Sequence, residues 1–226
     1  MDEQEKPTAA VITQVEQQKK NRSRYNLYLD GEYALSVHED LLIQYRLLKG
    51  ETVDKLQLEE ILRADEKHRA YLDAIRFISV RARSEAEVRK KLVTRGYEPD
   101  LIAGVLRQLG EQGYLNDRDF AELWTKERIT LQKKGRKWVE QELRQKGIEK
   151  KLVADAISKI DPDEEKEQAL AIASKRWKQM SGDSADKKRK LYAFLARRGY
   201  PPHLTSDVVK EVTASEPAGE EWEWEY

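Results

Sequence analysis

The hydrophobic positions of the chain follow one pattern that recurs three times. Each copy centres on a glycine, and these glycines, Gly96, Gly147 and Gly199, are 51 and then 52 residues apart. Apolar residues stand eight and four positions before each glycine, and five, nine and ten positions after it. Such spacings place the residues on one face of each of two helices, so the pattern predicts tandem helical repeats. The apolar positions are Val88, Leu92, Leu101, Val105 and Leu106, then Val139, Leu143, Leu152, Ala156 and Ile157, and finally Leu191, Leu195, Leu204, Val208 and Val209.

Each glycine is predicted to end the first helix of its pair in a left-handed conformation. A basic residue precedes it, Arg95, Lys146 or Arg198, where a cation suits the negative end of a helix. A third helix precedes each pair, and its large apolar residues are expected in the core. The repeat unit is therefore predicted to be a three-helix module. The preceding helices contain Leu72, Ile75, Phe77 and Ile78, then Phe120, Ala121 and Trp124, then Leu170, Ala173 and Trp177.

Local signals mark where two helices of the first repeat begin. Ser84 is followed three residues later by Glu87, which is the spacing of a capping box. Pro99 is predicted in the first turn of the next helix, where its missing N–H costs nothing.

The first fifty residues alternate apolar and polar positions instead. Val11 and Val15 flank a possible strand, and the run from Tyr25 to Val37 alternates on both sides of Asp30-Gly31. An Asp-Gly pair between alternating runs is the strongest short signal for a β-hairpin. We expect a small antiparallel sheet that caps the repeats and packs on Leu41, Leu42 and residues 47–48, or on the first repeat. Residues 52–80 are predicted to be helical.

The predicted fold is mostly α: an elongated array of three tandem three-helix repeats with a small N-terminal β-hairpin or sheet cap. The predicted segments are a disordered N-terminus at 1–9, the cap and a connecting helix at 10–68, repeats at 69–117, 118–163 and 164–212, and an acidic aromatic tail at 213–226. Short modules with small cores suit a chain that is 37% charged and only 39% hydrophobic.

Composition narrows the class of protein further. The chain has no cysteine, so disulfides and thiolate chemistry are excluded. No stretch approaches the ~20 apolar residues of a membrane helix, and we expect a cytoplasmic protein. The three histidines, His38, His68 and His203, show no metal-ligand spacing on a helix and are expected at the surface. No phosphate-binding glycine loop or nucleophile motif is present, so neither an enzyme nor a metal or cofactor is expected.

The net charge of zero conceals an uneven distribution. Residues 118–160 contain twelve Lys or Arg and seven Asp or Glu, a net charge of +5, whereas residues 213–226 contain five acids and no base. A basic surface is suited to phosphates or to an acidic protein groove. The tail, with Trp222, Trp224 and Tyr226, is either solvated or a competitor for the basic middle repeat.

Basic residues of the second helices are candidates for partner binding. Lys137 and Arg144 are seven residues apart and share a helix face opposite Val139 and Leu143. If successive repeats stack regularly, such residues form a stripe, although lysine and arginine decorate any solvated helix. The predicted basic face comprises Arg81, Arg83, Arg89, Lys90, Lys133, Lys134, Arg136, Lys137, Arg144, Lys187, Lys188, Arg189, Arg197 and Arg198.

The middle of the chain resembles the RecX family of bacterial regulators of the recombinase RecA. The specific segments are GYLNDRDFAELW and KKGRKWVEQELRQKGI, and the hairpin RYNLYLDGEYALSV is similar to the start of the family. The resemblance covers about residues 10–212. The positions that match the family pattern are Asp117, Phe120, Ala121, Gly135, Leu143, Gly147 and Ile148.

The resemblance implies a monomeric accessory protein without catalytic chemistry. Such a protein lies along the groove of the RecA filament on single-stranded DNA and restrains strand exchange, ATP turnover and co-protease function. An extended row of modules fits that role, because many weak contacts to a polymer add up. Two rival hypotheses remain: a DNA-binding protein that acts without RecA, since three-helix units resemble helix-turn-helix domains, and an adaptor for an unrelated protein.

Overall fold

The N-terminal part of the molecule is a four-stranded antiparallel sheet with one short helix. The structure, a computed structural model, describes residues 9–214. The strands are β1 (Ala10–Gln17), β2 (Arg24–Leu29), β3 (Glu32–His38) and β4 (Thr52–Val53), in the order β3-β2-β1-β4, and α1 (Glu39–Gln44) follows β3. The predicted hairpin is β2–β3, and its turn residues Asp30 and Gly31 have the positive φ angles, 49° and 92°, that such a turn needs.

Alternation along the strands buries one face of this sheet. Ile12, Leu27, Leu35 and Val37 point into a core that is closed by α1 and the beginning of the next helix. The core also contains Leu41 and Leu47, and Leu42 packs against it, so the packing predicted for these three leucines is confirmed, whereas Leu48 is 62% exposed.

The expectation of a helix over residues 52–80 is wrong at its start. Thr52 and Val53 form β4 against Val11 and Ala10 of β1. The helix begins after Asp54, because Asp54 and Gln57 form a capping box: the Asp54 carboxylate accepts from the Gln57 N–H at 2.8 Å, and the Gln57 side chain accepts from the Asp54 N–H at 3.1 Å.

The rest of the described chain is helical. The helices are α2 (Lys55–Val80), α3 (Glu85–Thr94), α4 (Pro99–Glu111), α5 (Asp117–Thr130), α6 (Arg136–Gln145), α7 (Lys150–Ser158), α8 (Pro162–Lys178), α9 (Ser184–Arg197) and α10 (Pro202–Ala214). None of the helices described is long and apolar enough to span a membrane. The mostly α fold with an N-terminal antiparallel sheet is as predicted.

The three predicted repeats are present as three-helix modules. The second half of α2 joins α3 and α4, α5 joins α6 and α7, and α8 joins α9 and α10. Gly96, Gly147 and Gly199 end the second helix of each module with φ angles of 84°, 77° and 89°. The capping box of Ser84 and Glu87 is also confirmed, with both of its hydrogen bonds at 3.2 Å.

Contacts divide the described chain into two compact units. The first holds the described residues up to Arg81 together with Val88–Gln112, and the second holds Ala82–Glu87 together with the described residues from Gly113 onward. The first turn of α3 therefore belongs with the second unit. The predicted segment boundaries remain predictions, and the predicted disordered N-terminus and acidic tail fall almost entirely outside the described residues.

Each complete repeat of the second unit has its own core. In the second repeat, Val139 and Leu143 of α6 meet Phe120 and Ala121 of α5. In the third, Leu191 and Leu195 of α9 are fully buried among residues of α8 and α10. The periodic residues of the sequence thus form the interiors of separate modules.

Within the second unit, two glycine turns make the same kind of contact with the preceding repeat. The glycine turn that follows α6 meets the start of α3, where Ser84 Oγ donates to the Lys146 carbonyl at 2.7 Å. The glycine turn that follows α9 meets the start of α6, where the Gly135 N–H donates to the Arg198 carbonyl at 2.9 Å. Ser84 and Gly135 occupy equivalent positions, twelve residues before the glycine of their repeat. These two glycine turns, after α6 and after α9, therefore each dock at the start of the second helix of the preceding repeat.

Candidate partner-binding surface

The fourteen predicted cations differ in exposure. Eight are exposed, namely Arg81, Arg89, Lys90, Lys137, Arg144, Lys188, Arg189 and Arg197, and six are half-buried, namely Arg83, Lys133, Lys134, Arg136, Lys187 and Arg198. The prediction that Lys137 and Arg144 point outward from α6 while Val139 and Leu143 point inward is confirmed.

Several half-buried cations stabilise the contact between the second and third repeats. Arg136 donates from Nε to Glu165 Oε2 at 2.6 Å and from its backbone N–H to Oε1 at 2.8 Å, and Glu165 is only 1% exposed. Arg198 donates to the carbonyls of Gln132 at 2.9 Å and Lys133 at 3.2 Å. Lys133 Nζ itself contacts Gln168. These hydrogen bonds use the charges internally, so the three residues contribute less to an outer surface than the sequence indicated.

Two other lysines lie over aromatic rings. Lys134 Nζ is 3.6 Å from the ring centroid of Trp138, and Lys187 Nζ is 4.0 Å from that of Trp177. Burial lowers the pKa of Lys134, and the neighbouring Arg198 lowers that pKa further. Trp138 is 36% exposed. A solvent-facing indole with an ammonium on its face offers a partner both apolar area and positive charge.

The outer face of α6 carries the exposed pair that the sequence predicted. Arg144 forms an ion pair with Glu140 one turn away. Lys137 is exposed and its backbone N–H donates to the Gly199 carbonyl at 3.1 Å. The backbone of Lys137 is thus fixed at the junction of two repeats while its ammonium faces solvent.

A basic hollow in the third repeat was not predicted. It lies between α8 and α9, has a volume of about 320 Å³, and is lined by Arg176, Lys190 and Arg197 together with Met180, Phe194 and other residues. Its lining contains no carboxylate, and within the described residues no ion pair is found for these three cations. Uncompensated positive charge around an apolar ring is suited to an anionic group. We call the three cations and Phe194 the basic hollow.

Arg176 and Lys190 lie outside the predicted set of fourteen. Arg176 belongs to α8, the first helix of its repeat, whereas the prediction considered mainly the second helices. The signal that could have found it is its position directly before Trp177, because a residue next to a buried aromatic on a helix points away from the core.

A larger hollow, of about 560 Å³, lies between α5, α7 and the start of α8. Its lining contains apolar residues such as Leu123 and Ile129, and it also contains both acidic residues and lysines. The lining contains no histidine, and within it the Thr130 hydroxyl donates to Glu164 Oε1 at 3.0 Å.

The expectation of three surface histidines is wrong for two of them. His38 and His68 are half-buried, and their ring centroids are only 4.3 Å apart, although 30 residues separate them in sequence. His203 in α10 is exposed, as expected. The end of β3 and the middle of α2 bring the two rings together, which no spacing along one helix predicts.

These features define a class of protein: a β-sheet domain followed by three tandem three-helix modules that present cations on their outer helices. Models of the RecX family match all four parts: the regulatory protein RecX N-terminal domain at residues 10–54, and the first, second and third three-helix domains at 70–109, 116–157 and 163–209.

Relatives of known name agree with these matches. A regulatory protein RecX of Listeria monocytogenes serotype 4a is 35% identical over 205 residues, which are 90% of this chain and 76% of the relative. One from Halalkalibacterium halodurans is 36% identical over 219 residues, 95% of this chain and 82% of the relative. The chain belongs to the RecX family of regulatory proteins.

Solved structures share the fold. A crystal structure of regulatory protein RecX superimposes with a TM-score of 0.73 at 30% identity, covering 89% of this chain and 99% of that one. RecX from Lactobacillus salivarius gives a TM-score of 0.62 at 23% identity over 67% of this chain and 99% of that one, which shows the fold alone.

Proposed function

We propose that the protein is a non-enzymatic modulator of RecA that binds along the RecA filament on single-stranded DNA. Bound there, it restrains strand exchange, ATP hydrolysis and co-protease activity, and so acts in the cytoplasm in homologous recombination, DNA repair and the SOS response. Membership of a family of regulatory proteins supports a regulatory role, and the resemblance of the sequence to regulators of RecA supplies the partner.

The observation that carries this proposal is the exposed positive charge of the outer helices in the second unit, above all in the basic hollow, for whose cations no ion pair is found within the described residues. Lys137 and Arg144 on α6 and the three cations of the basic hollow on α8 and α9 are exposed on helices whose opposite faces are buried. A filament of repeating subunits on DNA offers acidic groups at regular intervals. Several weak charge contacts on one rigid unit then add up to useful affinity.

The proposal is tested with two double variants, K137E/R144E and R176E/K190E. All four residues are exposed, so the melting temperature and helicity should stay nearly unchanged. Each variant should need roughly tenfold more protein to slow ATP hydrolysis by preassembled RecA filaments, because reversed charges repel the acidic partner. Light scattering of the filaments provides the second measurement.

The matched control is K150E/K151E. These exposed lysines lie in the first turn of α7, where glutamate suits the helix terminus, and the charge change is the same. The K150E/K151E variant should slow ATP hydrolysis as well as the wild type does. If the wild-type chain, added in stoichiometric amount, had no effect on ATP hydrolysis or light scattering of the filaments, the proposal would be contradicted. Equal losses of inhibition in all three variants would mean that net charge, and not these particular cations, determines the effect.

A second candidate function is DNA binding without RecA, favoured by the basic hollow, since a group of cations around an aromatic ring also suits phosphate and base. Binding to bare single-stranded DNA that is tighter than binding to the filament, and that weakens steeply with salt, would favour this candidate.

A further inference from the structure

Three side chains of the first unit converge on one point that the proposed function does not use. His38 ends β3, Asp40 lies in the first turn of α1, and His68 lies in the middle of α2. Asp40 Oδ2 is 3.3 Å from His38 Nδ1 and 3.5 Å from His68 Nε2. The three donor atoms all lie within 4.8 Å of one another. Two imidazoles and one carboxylate are ligands that divalent transition metals prefer.

His38 also caps the helix that carries Asp40. His38 Nδ1 accepts a hydrogen bond from the Asp40 backbone N–H at 3.3 Å as the N-cap of α1. This nitrogen and the Asp40 carboxylate, 3.3 Å apart, offer two neighbouring donor atoms to one cation.

The second imidazole has one nitrogen without a hydrogen-bond partner. His68 Nε2 is buried and has no hydrogen-bond partner among the described residues. Burial lowers the pKa of His68, and the neighbouring His38 lowers it further, whereas Asp40 raises it. Metals bind the neutral form of imidazole, which a lowered pKa favours.

The surrounding residues hold the two histidines in place. Asp65 is 3% exposed, and its Oδ1 accepts from the His38 backbone N–H at 3.0 Å. The same carboxylate accepts from Arg24 at 3.0 Å and forms an ion pair with Arg69 at 3.1 Å. Asp65 therefore ties the end of β3 to α2 one turn before His68. Such support keeps ligands positioned before a metal binds.

We propose that His38, Asp40 and His68 bind one divalent transition metal ion, of which Zn²⁺ is the representative. Movements of about 1 Å bring the donor atoms to the separation of about 3.3 Å that tetrahedral zinc with ~2.0 Å bonds to nitrogen requires. Asp40 is 62% exposed, so water completes the coordination from that side. The ion bridges β3 and α1 to α2 and so fastens the sheet to the long helix.

The test is calorimetric titration of the full chain, free of any polyhistidine tag and treated with a chelator, with ZnCl₂ at pH 7.5. We expect one equivalent of zinc per chain and a rise in melting temperature on saturation. H68Q and D40N should each weaken zinc binding at least tenfold. Because Asp40 is exposed, D40N tests the site even if H68Q lowers stability.

The matched control is H203Q, which removes the exposed histidine of α10 in the second unit and should leave zinc binding unchanged. An absence of saturable zinc binding at 100-fold excess would overturn the proposal and would indicate that a shared proton balances the three groups. Zinc binding that survives both H68Q and D40N, or that H203Q removes, would overturn it as well.

Discussion

The glycine positions of the repeats differ in backbone conformation and in the space that they leave for a side chain. Gly96 has a positive φ, but a Cβ there would meet nothing within 4 Å. Gly135 has an ordinary φ of −77°, but a Cβ would overlap the backbone of Gly199. Gly199 has both constraints, because its φ is positive and a Cβ would overlap Trp138. The three positions thus separate conformational strain from close approach.

Alanine substitutions at these positions should have graded effects. Gly96→Ala should lower the free energy of unfolding by about 1 kcal/mol, through the left-handed conformation alone. Gly135→Ala should cost about 2 kcal/mol, because backbone must move to admit the methyl group. Gly199→Ala should cost about 3 kcal/mol or more, because both effects apply. Urea unfolding monitored by circular dichroism measures all three, and equal losses would show that the close approach at the junction does not matter.

At the residue scale, the sequence predicts conformation better than it predicts contact. The positive φ angles of Gly96, Gly147 and Gly199 follow from their place at a helix end. The hydrogen bonds from Arg136 to Glu165 cannot be predicted in this way, because the two residues are 29 positions apart and meet only when two repeats dock. The proximity of His38 and His68 likewise depends on the packing of a strand end on a helix.

At the scale of elements, a buried tyrosine joins the start of α10 to the loop before α6. Tyr200 is 2% exposed and donates from its hydroxyl to the Lys133 carbonyl at 2.9 Å. Burial raises the pKa of Tyr200 well above its usual value, and Arg198 opposes this in part. The phenol therefore stays protonated in the folded chain at a pH where the unfolded chain ionises.

Stability should accordingly fall at alkaline pH through Tyr200. The contribution of the protonated phenol is fully present below its ordinary pKa of 10.0 and is lost as pH rises toward the raised folded pKa. Tyr200→Phe should cost about 1 kcal/mol at pH 8 through the lost hydrogen bond. The variant should also lose less stability than the wild type between pH 9.5 and 11. Thermal unfolding across this range provides the measurement, and Tyr192→Phe, on an exposed tyrosine of α9, is the control. Parallel pH profiles for the wild type and Tyr200→Phe would refute the assignment.

Element boundaries were predictable where a local signal marks them. Ser84 with Glu87 and Pro99 identify two helix starts, and Asp30-Gly31 identifies the hairpin. The two-residue strand β4 carries no such signal, because Thr52 and Val53 become a strand only by pairing with β1. Long-range pairing overrides the helical periodicity that continues from residue 55.

At the scale of the whole molecule, positive charge is concentrated on the outer helices of the second unit, and negative charge is concentrated after them in the sequence. The last residues of the chain, 213–226, hold five acids and no base. They include Trp222, Trp224 and Tyr226, which lie outside the described residues. If this acidic segment competes for the cations of the second and third repeats, it reduces their affinity for a polyanion.

Deletion of residues 214–226 should therefore strengthen binding to RecA filaments or to DNA at low salt by about threefold to tenfold, and the gain should shrink as salt screens the competing charges. Fluorescence anisotropy with labelled single-stranded DNA, alone and coated with RecA, measures the change. A variant that replaces Trp222, Trp224 and Tyr226 by alanine separates the aromatic contribution from the charge. Affinity that does not change with deletion at any salt concentration would leave the tail without a competing role.

The fold class was predictable at this scale because one pattern, repeated three times, determines most of it. The partner surface was predictable only in part. The exposed pair on α6 follows from helical periodicity, whereas the basic hollow arises from two helices whose cations converge in space.

The last repeat differs from the first two at the position that receives a glycine turn. In the first two repeats a small residue, Ser84 or Gly135, receives the glycine turn of the next repeat, and the helix that follows has 10 residues. In the third repeat the equivalent position is Lys187, and α9 has 14 residues because it begins a turn earlier. The additional turn, residues 184–187, therefore includes the position that corresponds to Ser84 and Gly135. A glycine turn that docked there as the turns after α6 and α9 do would meet a helix and a lysine side chain in place of a small residue.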